Sequence, residues 1–158
     1  MNVFLDTSAL VKRYHLEKGT KEIDSIFEDS SVSIYISQLS TVELASTLSR
    51  KVREGILDEQ AKKIAFEAFL RDYKNKSFKV IFIDKEIIKA ATESLITGGS
   101  KIALRTLDAI QLECALKLDN DRLLHLVVLS DLKFIDTLKT LKKITVFNPE
   151  KEKWSNIK

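Results

Sequence analysis

Apolar residues recur along the chain in two rhythms. Short runs rich in β-branched and aromatic side chains, at Asn2–Leu5, Val32–Ser37, Lys79–Ile83, Leu124–Ser130 and Ile144–Phe147, have the length and character of strands. Segments of helical period lie between them. Ser8–Tyr14 and Thr20–Glu28 follow the first run, and Thr41–Glu54 and Asp58–Tyr73 the second. Lys85–Thr97 and Thr106–Leu118 follow the third, and Leu132–Lys142 the fourth. Strands separated by helices need crossover connections, so the pattern predicts a mostly parallel sheet of about five strands with helices on both faces, an α/β sandwich.

Four glycines and one proline punctuate the chain, and Gly98-Gly99 is the clear glycine break between helices. No linker, repeat or low-complexity tract divides it. Pro149 and the charged run Glu150–Lys153 mark the expected end of a single domain over residues 1–150, followed by a tail over 151–158. Two fates fit that tail: Trp154 folds back onto the domain, or the tail is mobile.

Composition narrows the class. With 158 residues, 44% hydrophobic and 31% charged, the chain has the makeup of a folded globular domain rather than a disordered or fibrous one. No apolar run approaches the roughly twenty residues that cross a bilayer, and the opening Met1–Asp6 reaches an acid too soon for a secretory signal. No membrane partner and a cytoplasmic location are therefore expected. The single cysteine, Cys114, lies in an apolar stretch and excludes a disulfide framework, so it reads as core filler. A net charge of +3 is too small to point to nucleic acid by itself.

Four acids stand where acids are costly or useful. Asp6 follows Val3-Phe4-Leu5 and so ends a buried strand, at the edge where open parallel sheets bind ligands. Two roles fit it: a cap for the helix beginning near Ser8, or a ligand-facing carboxylate. Asp131 repeats the arrangement after Leu126–Ser130. Two such acids close together would repel unless a cation lay between them. Asp108, at about 100° per residue, falls opposite the polar side of Thr106, Glu113 and Lys117 and beside Leu104, Leu112 and Ala115, so it points inward. A carboxylate there needs a cation, hydrogen bonds or a charge partner, and Arg105 is near enough to be that partner. Glu43 fits a capping box with Ser40, yet it also shares a polar helix face with Thr47 and Arg50 that is either solvated surface or a cleft wall.

These residues resemble, over nearly the whole chain, the PIN-domain nucleases, and within them the VapC toxins of toxin–antitoxin pairs. Phe4–Tyr14 looks like the family's first acidic motif, with Glu17-Lys18-Gly19-Thr20 as its acid-x-Gly-Ser/Thr turn. Ser40–Leu44 is similar to the second, Leu104–Leu112 to the third and Val128–Asp131 to the fourth, while Phe147-Asn148-Pro149 resembles a common family ending. Gln111, where relatives often carry His, and Glu113, where small residues are common, depart mildly from the pattern. The resemblance implies a PIN-like three-layer α/β/α sandwich. It also implies a metal-dependent endoribonuclease in which Asp6, Glu43, Asp108 and Asp131 hold Mg²⁺ or Mn²⁺ and Ser8 supports the site. A cognate VapB-like antitoxin and a homodimer are the partners it implies.

Hard divalent ions prefer oxygen ligands, so this chemistry requires no histidine. Of the two histidines, His125 reads as a packed strand residue. Lys12, Arg13, Arg50, Lys51, Arg53, Lys101 and Arg105 gather around the motifs, and Arg50 and Arg105 are the leading candidates to receive RNA phosphates. The broad apolar face of Ile64, Ala65, Phe66, Ala68 and Phe69 fits either the core or a second chain. Rival functions are a phosphatase using Asp6 as nucleophile, which lacks the expected second Asp, a non-catalytic metal-binding PIN-like module, and a housekeeping PIN nuclease of RNA maturation.

Overall fold

A computed structural model describes residues 1–98, 104–121, 123–141 and 144–157. The break expected at Gly98-Gly99, Lys101 and the last residue of the Leu132–Lys142 helix fall partly or wholly outside the described residues. Strand β1 (Asn2–Leu5) leads into a short helix α1 (Thr7–Leu10), a 3-10 turn at Val11–Arg13 and helix α2 (Thr20–Glu28). Strand β2 (Ser33–Ser37) is followed by α3 (Leu39–Arg53) and α4 (Glu59–Lys74). Strand β3 (Lys79–Ile81) precedes α5 (Lys85–Gly98) and α6 (Thr106–Asn120). Then come β4 (Leu126–Val128), α7 (Leu132–Leu141), β5 (Val146–Phe147) and a 3-10 turn at Trp154–Asn156.

The five strands pair in the order β3-β2-β1-β4-β5, and every pairing is parallel. Side chains alternate across β1 and β4. Val3, Leu5, Leu126 and Val128 join Leu10, Ile23, Leu44, Leu48 and Phe69 in a core beneath α1–α4. Phe4, Val127 and Leu129 join Ile87, Leu112, Cys114 and Phe134 in a second core beneath α5–α7. The result is the three-layer α/β/α sandwich expected from the sequence. Cys114 is core filler as read, and burial pushes its thiol up to about 12.

Several boundaries differ from the pattern for identifiable reasons. The run Lys79–Ile83 gives a strand of three residues because its partner β2 ends at Ser37, which pairs with Ile81. His125 lies just before β4 and is exposed, not packed: its Nδ1 sits beside the Leu123 carbonyl oxygen at 2.9 Å and the Asn2 amide at 3.2 Å. The apolar face of α4 divides, since Ala65 and Phe69 enter the core while Ile64 stays 56% exposed.

The residues after β5 pack onto the sandwich. Trp154 is buried against Phe147 with ring centroids 5.7 Å apart, and its backbone amide donates to Glu22 at 2.7 Å. Gly19 has φ +94°, and a Cβ there would meet the Pro149 carbonyl oxygen at 3.0 Å, so the turn before α2 and the chain after β5 approach too closely for a side chain. Removing a buried Trp costs about 3–5 kcal/mol. Trp154→Ala is accordingly expected to lower unfolding stability in urea by roughly 3 kcal/mol; a midpoint equal to that of the unaltered protein would show that the segment after Pro149 contributes nothing to the fold.

Candidate active site

Strand order places the site. β1 is the central strand: the chain runs from it through β2 to β3 on one side and then crosses back to β4 and β5 on the other, which makes the carboxyl end of β1 a topological switch point where a crevice opens. The Asp6 amide extends the ladder by donating to the Val128 carbonyl oxygen at 3.0 Å, so the first acid stands at that crevice. Asp131 enters from the end of β4, Glu43 from α3 in one helical layer and Asp108 from α6 in the other. All four line one cleft of about 820 Å³, together with Ser8, Arg50 and Arg105.

Asp6 fills the capping role and also lines the cleft. It is 7% exposed and caps α1, its Oδ2 accepting from the Ser8 amide at 2.8 Å and the Ser8 hydroxyl at 2.6 Å. The same hydroxyl accepts from the Ser130 amide at 2.9 Å, so Ser8 ties the end of β1 to the loop that carries Asp131. Asp131 Oδ1 caps α7 by accepting from the Lys133 and Phe134 amides at 2.9 and 3.2 Å.

The capping box at Glu43 does not form. Helix α3 begins at Leu39, one residue before Ser40, and Ser40 is buried with its hydroxyl 3.3 Å from that of Ser37. Glu43 instead accepts two hydrogen bonds on Oε2, one from Thr7 Oγ1 and one from Gln111 Nε2, each 2.6 Å long. Its face of α3, with Thr47 and Arg50, is a cleft wall rather than plain surface. Asp108 is less deeply inward than its helical phase implied, with 22% of its side chain exposed to the cleft.

Arg105 stands between the last two acids, 4.0 Å from Asp108 Oδ2 and 3.7 Å from Asp131 Oδ2, and is 59% exposed. So loose and exposed a pair contributes about 0–1 kcal/mol and yields easily to another cation or to a phosphate. Arg50 is similarly exposed, 3.8 Å from Glu54. Three of the other basic residues near the motifs are held by acids. Lys12 is buried, donating to Glu17 at 2.8 Å and Glu150 at 2.7 Å, Lys51 donates to Glu17 at 2.7 Å, and Arg13 donates to Asp24 at 2.7 Å.

Electrostatics set this cluster apart. Burial pushes the Asp6 carboxyl up to about 6 against the lowering effect of the Ser8 hydroxyl and amide, and the charges of Glu43 and Asp108 push the same way. Burial also raises Glu43, opposed by Thr7 and Gln111 and reinforced by Asp108. Asp108 is raised by burial and by Asp131, with Arg105 opposing. Among the described residues no group of three His, Cys, Asp or Glu side chains is close enough as it stands to form a ligand set. The donor chemistry nevertheless fits a hard divalent cation, since the cleft lining is rich in carboxylate and hydroxyl oxygens and its described residues include neither His nor Cys.

Thr7 and Gln111 are polar partners that the motif pattern alone did not mark as part of the site. Gln111 carried a readable signal: it is an amide on the buried side of α6, one turn beyond Asp108.

A crevice at the switch point of a parallel sheet, walled by acids from both helical layers, defines an α/β/α domain of the acid-cluster class. The chain belongs to the PIN-domain family, whose model matches residues 3–137. A sequence comparison with curated proteins gave no significant match. Solved structures share the fold. VapC20 from Mycobacterium tuberculosis, described as a sarcin–ricin loop cleaving toxin, is 15% identical with a TM-score of 0.63 over 85% of this chain and 94% of that one. VapBC2 from Rickettsia felis, bound to a DNA fragment from its promoter, is 16% identical with a TM-score of 0.61 over 94% and 98%. FitAcB from Neisseria gonorrhoeae is 20% identical with a TM-score of 0.58 over 95% and 99%.

A carboxyl raised in the folded state stabilises the protein below its unfolded value and loses that contribution as pH rises through its folded value. For Asp6 the window runs from about 4 to about 6. Asp6→Asn is expected to raise the melting temperature of metal-free protein at pH 7.5 by removing an ionisation cost on the order of 2–3 kcal/mol, with the gain vanishing near pH 4. Equal destabilisation at both pH values would mean that the capping bonds of the carboxylate outweigh its burial.

Proposed function

We propose that the chain is a divalent-metal-dependent endoribonuclease that hydrolyses RNA phosphodiester bonds, with Asp6, Glu43, Asp108 and Asp131 as its catalytic and metal-holding acids. The observation that carries this reading is the convergence on one cleft of Asp6, Glu43 and Asp108, each raised by burial and by a neighbouring acid. Like charges gathered in a partly dry place call for a cation. Mg²⁺ or Mn²⁺ held by these oxygens supplies charge neutralisation at the scissile phosphate and acidifies the attacking water.

The chain's own groups prepare that chemistry. Ser8 holds Asp6 in one rotamer and locks the Ser130–Asp131 backbone beside it. Burial of Asp6 keeps the local dielectric low, so opposite charges placed there interact strongly. Arg105 and Arg50 offer exposed guanidinium groups at the cleft for RNA phosphates, and Arg105 exchanges its loose acid contacts for them at small cost.

Membership in the PIN family and the fold shared with VapC and FitAB structures support the toxin of a VapBC-type pair, held by a cognate VapB-like antitoxin; the homodimer rests on the family resemblance alone. Asp108→Asn tests both levels. The variant is expected to melt normally yet lose Mn²⁺-dependent RNA cleavage by at least about a hundredfold, and to abolish growth arrest on expression, an arrest that the neighbouring antitoxin gene relieves in the unaltered protein. Cleavage at full rate by folded Asp108→Asn removes the site. A harmless but RNA-cleaving unaltered protein moves the role to RNA maturation.

A further inference from the structure

We propose that Thr7 and Gln111 are positioning residues for Glu43, fixing one carboxylate oxygen against the protein so that the other is presented to the cleft. This rests on the nuclease reading for its purpose, but the geometry stands by itself. Glu43 Oε2 takes both short bonds, from Thr7 Oγ1 and Gln111 Nε2, while Oε1 takes none from a described residue. Thr7 spends its only hydrogen on Glu43, so its oxygen can only accept; Gln111 Nε2 lies 2.6 Å from Glu43 Oε2, 3.2 Å from Thr7 Oγ1 and 3.5 Å from Ser40 Oγ, three acceptors for its two hydrogens. The opposite amide orientation would set a carbonyl oxygen 2.6 Å from the carboxylate, so the network fixes Nε2 there.

Each brace shares a segment with one of the proposed metal acids: Thr7 directly follows Asp6, and Gln111 lies three residues after Asp108. The two hydrogen bonds therefore register α3 against both the end of β1 and α6. Stability does not explain the glutamine. Gln111 is 1% exposed and its Oε1 is buried without a partner among the described residues, an arrangement that costs the fold. A methionine of similar shape would remove that unsatisfied oxygen. What it would lose is the N–H directed at Glu43.

The test is calorimetric titration of Mn²⁺ into the RNA-free full chain, with metal-free melting temperatures measured alongside. Gln111→Met is expected to weaken Mn²⁺ binding about tenfold to a hundredfold, the usual loss when an orienting partner is removed, while melting at or above the temperature of the unaltered protein. Thr7→Val should show the same loss of binding. Gln111→His, which keeps one N–H donor, and Thr7→Ser should restore most of the affinity. Unaltered Mn²⁺ affinity in Gln111→Met overturns the proposal. If the unaltered protein itself binds no Mn²⁺, the nuclease reading fails separately, and a crystal structure of metal-free Gln111→Met decides the positioning role: a displaced Glu43 carboxylate supports it and an unmoved one overturns it.

Discussion

A carboxyl group buried at the end of the central strand is the constraint around which this molecule is arranged. Asp6 is 7% exposed because β1 lies between β2 and β4 and is covered by a helical layer on each face. Among the described residues no lysine or arginine offsets it directly; its hydrogen bonds come from Ser8. Lys12, the buried cation nearest in sequence, is held by Glu17 and Glu150. Ionisation is therefore costly at Asp6, and Glu43 and Asp108 increase that cost instead of relieving it. A fold selected for stability alone has no use for this arrangement, whereas a site that captures a small divalent cation does.

The parallel topology makes the arrangement possible. Glu43 and Asp108 belong to helices on opposite faces of the sheet, and Asp131 follows the neighbouring strand, so the four acids line one cleft where both layers overhang the switch point. Ser8 joins the two strand ends across that point, and Glu43 joins the two layers through Thr7 and Gln111. Those short contacts connect elements that are distant in sequence: Gln111 lies 68 residues from Glu43, and Ser130 lies 122 from Ser8.

Much of this was legible before any coordinates, and the remainder was not for physical reasons. Apolar runs ending in an acid marked Asp6 and Asp131 as strand-end groups because a strand emerging from the core must expose its next residue at the sheet edge. Helical phase marked Asp108, although the cleft leaves it more exposed than a core position. The nearness of the acids depends on the strand order β3-β2-β1-β4-β5, which local periodicity does not encode. Ser40 and Glu43 have the spacing of a capping box, but α3 starts before Ser40 and tertiary donors claim the glutamate. Lys12 sits beside the first motif among the basic residues gathered there; its partner Glu150 lies 138 residues away, beyond any local signal. Resemblance to the PIN family supplied the joining of the four acids that the residues individually left open.

Manganese anomalous scattering from crystals of the unaltered protein grown with Mn²⁺ tests the central claim most directly. The account predicts a difference peak in the cleft, bounded by Asp6, Glu43 and Asp108, with Glu43 Oε2 still held by Thr7 and Gln111 and Oε1 facing the peak. Well-ordered crystals at saturating Mn²⁺ that show no peak there, or a peak only at other surface acids, would contradict the claim that this cluster exists to hold a cation.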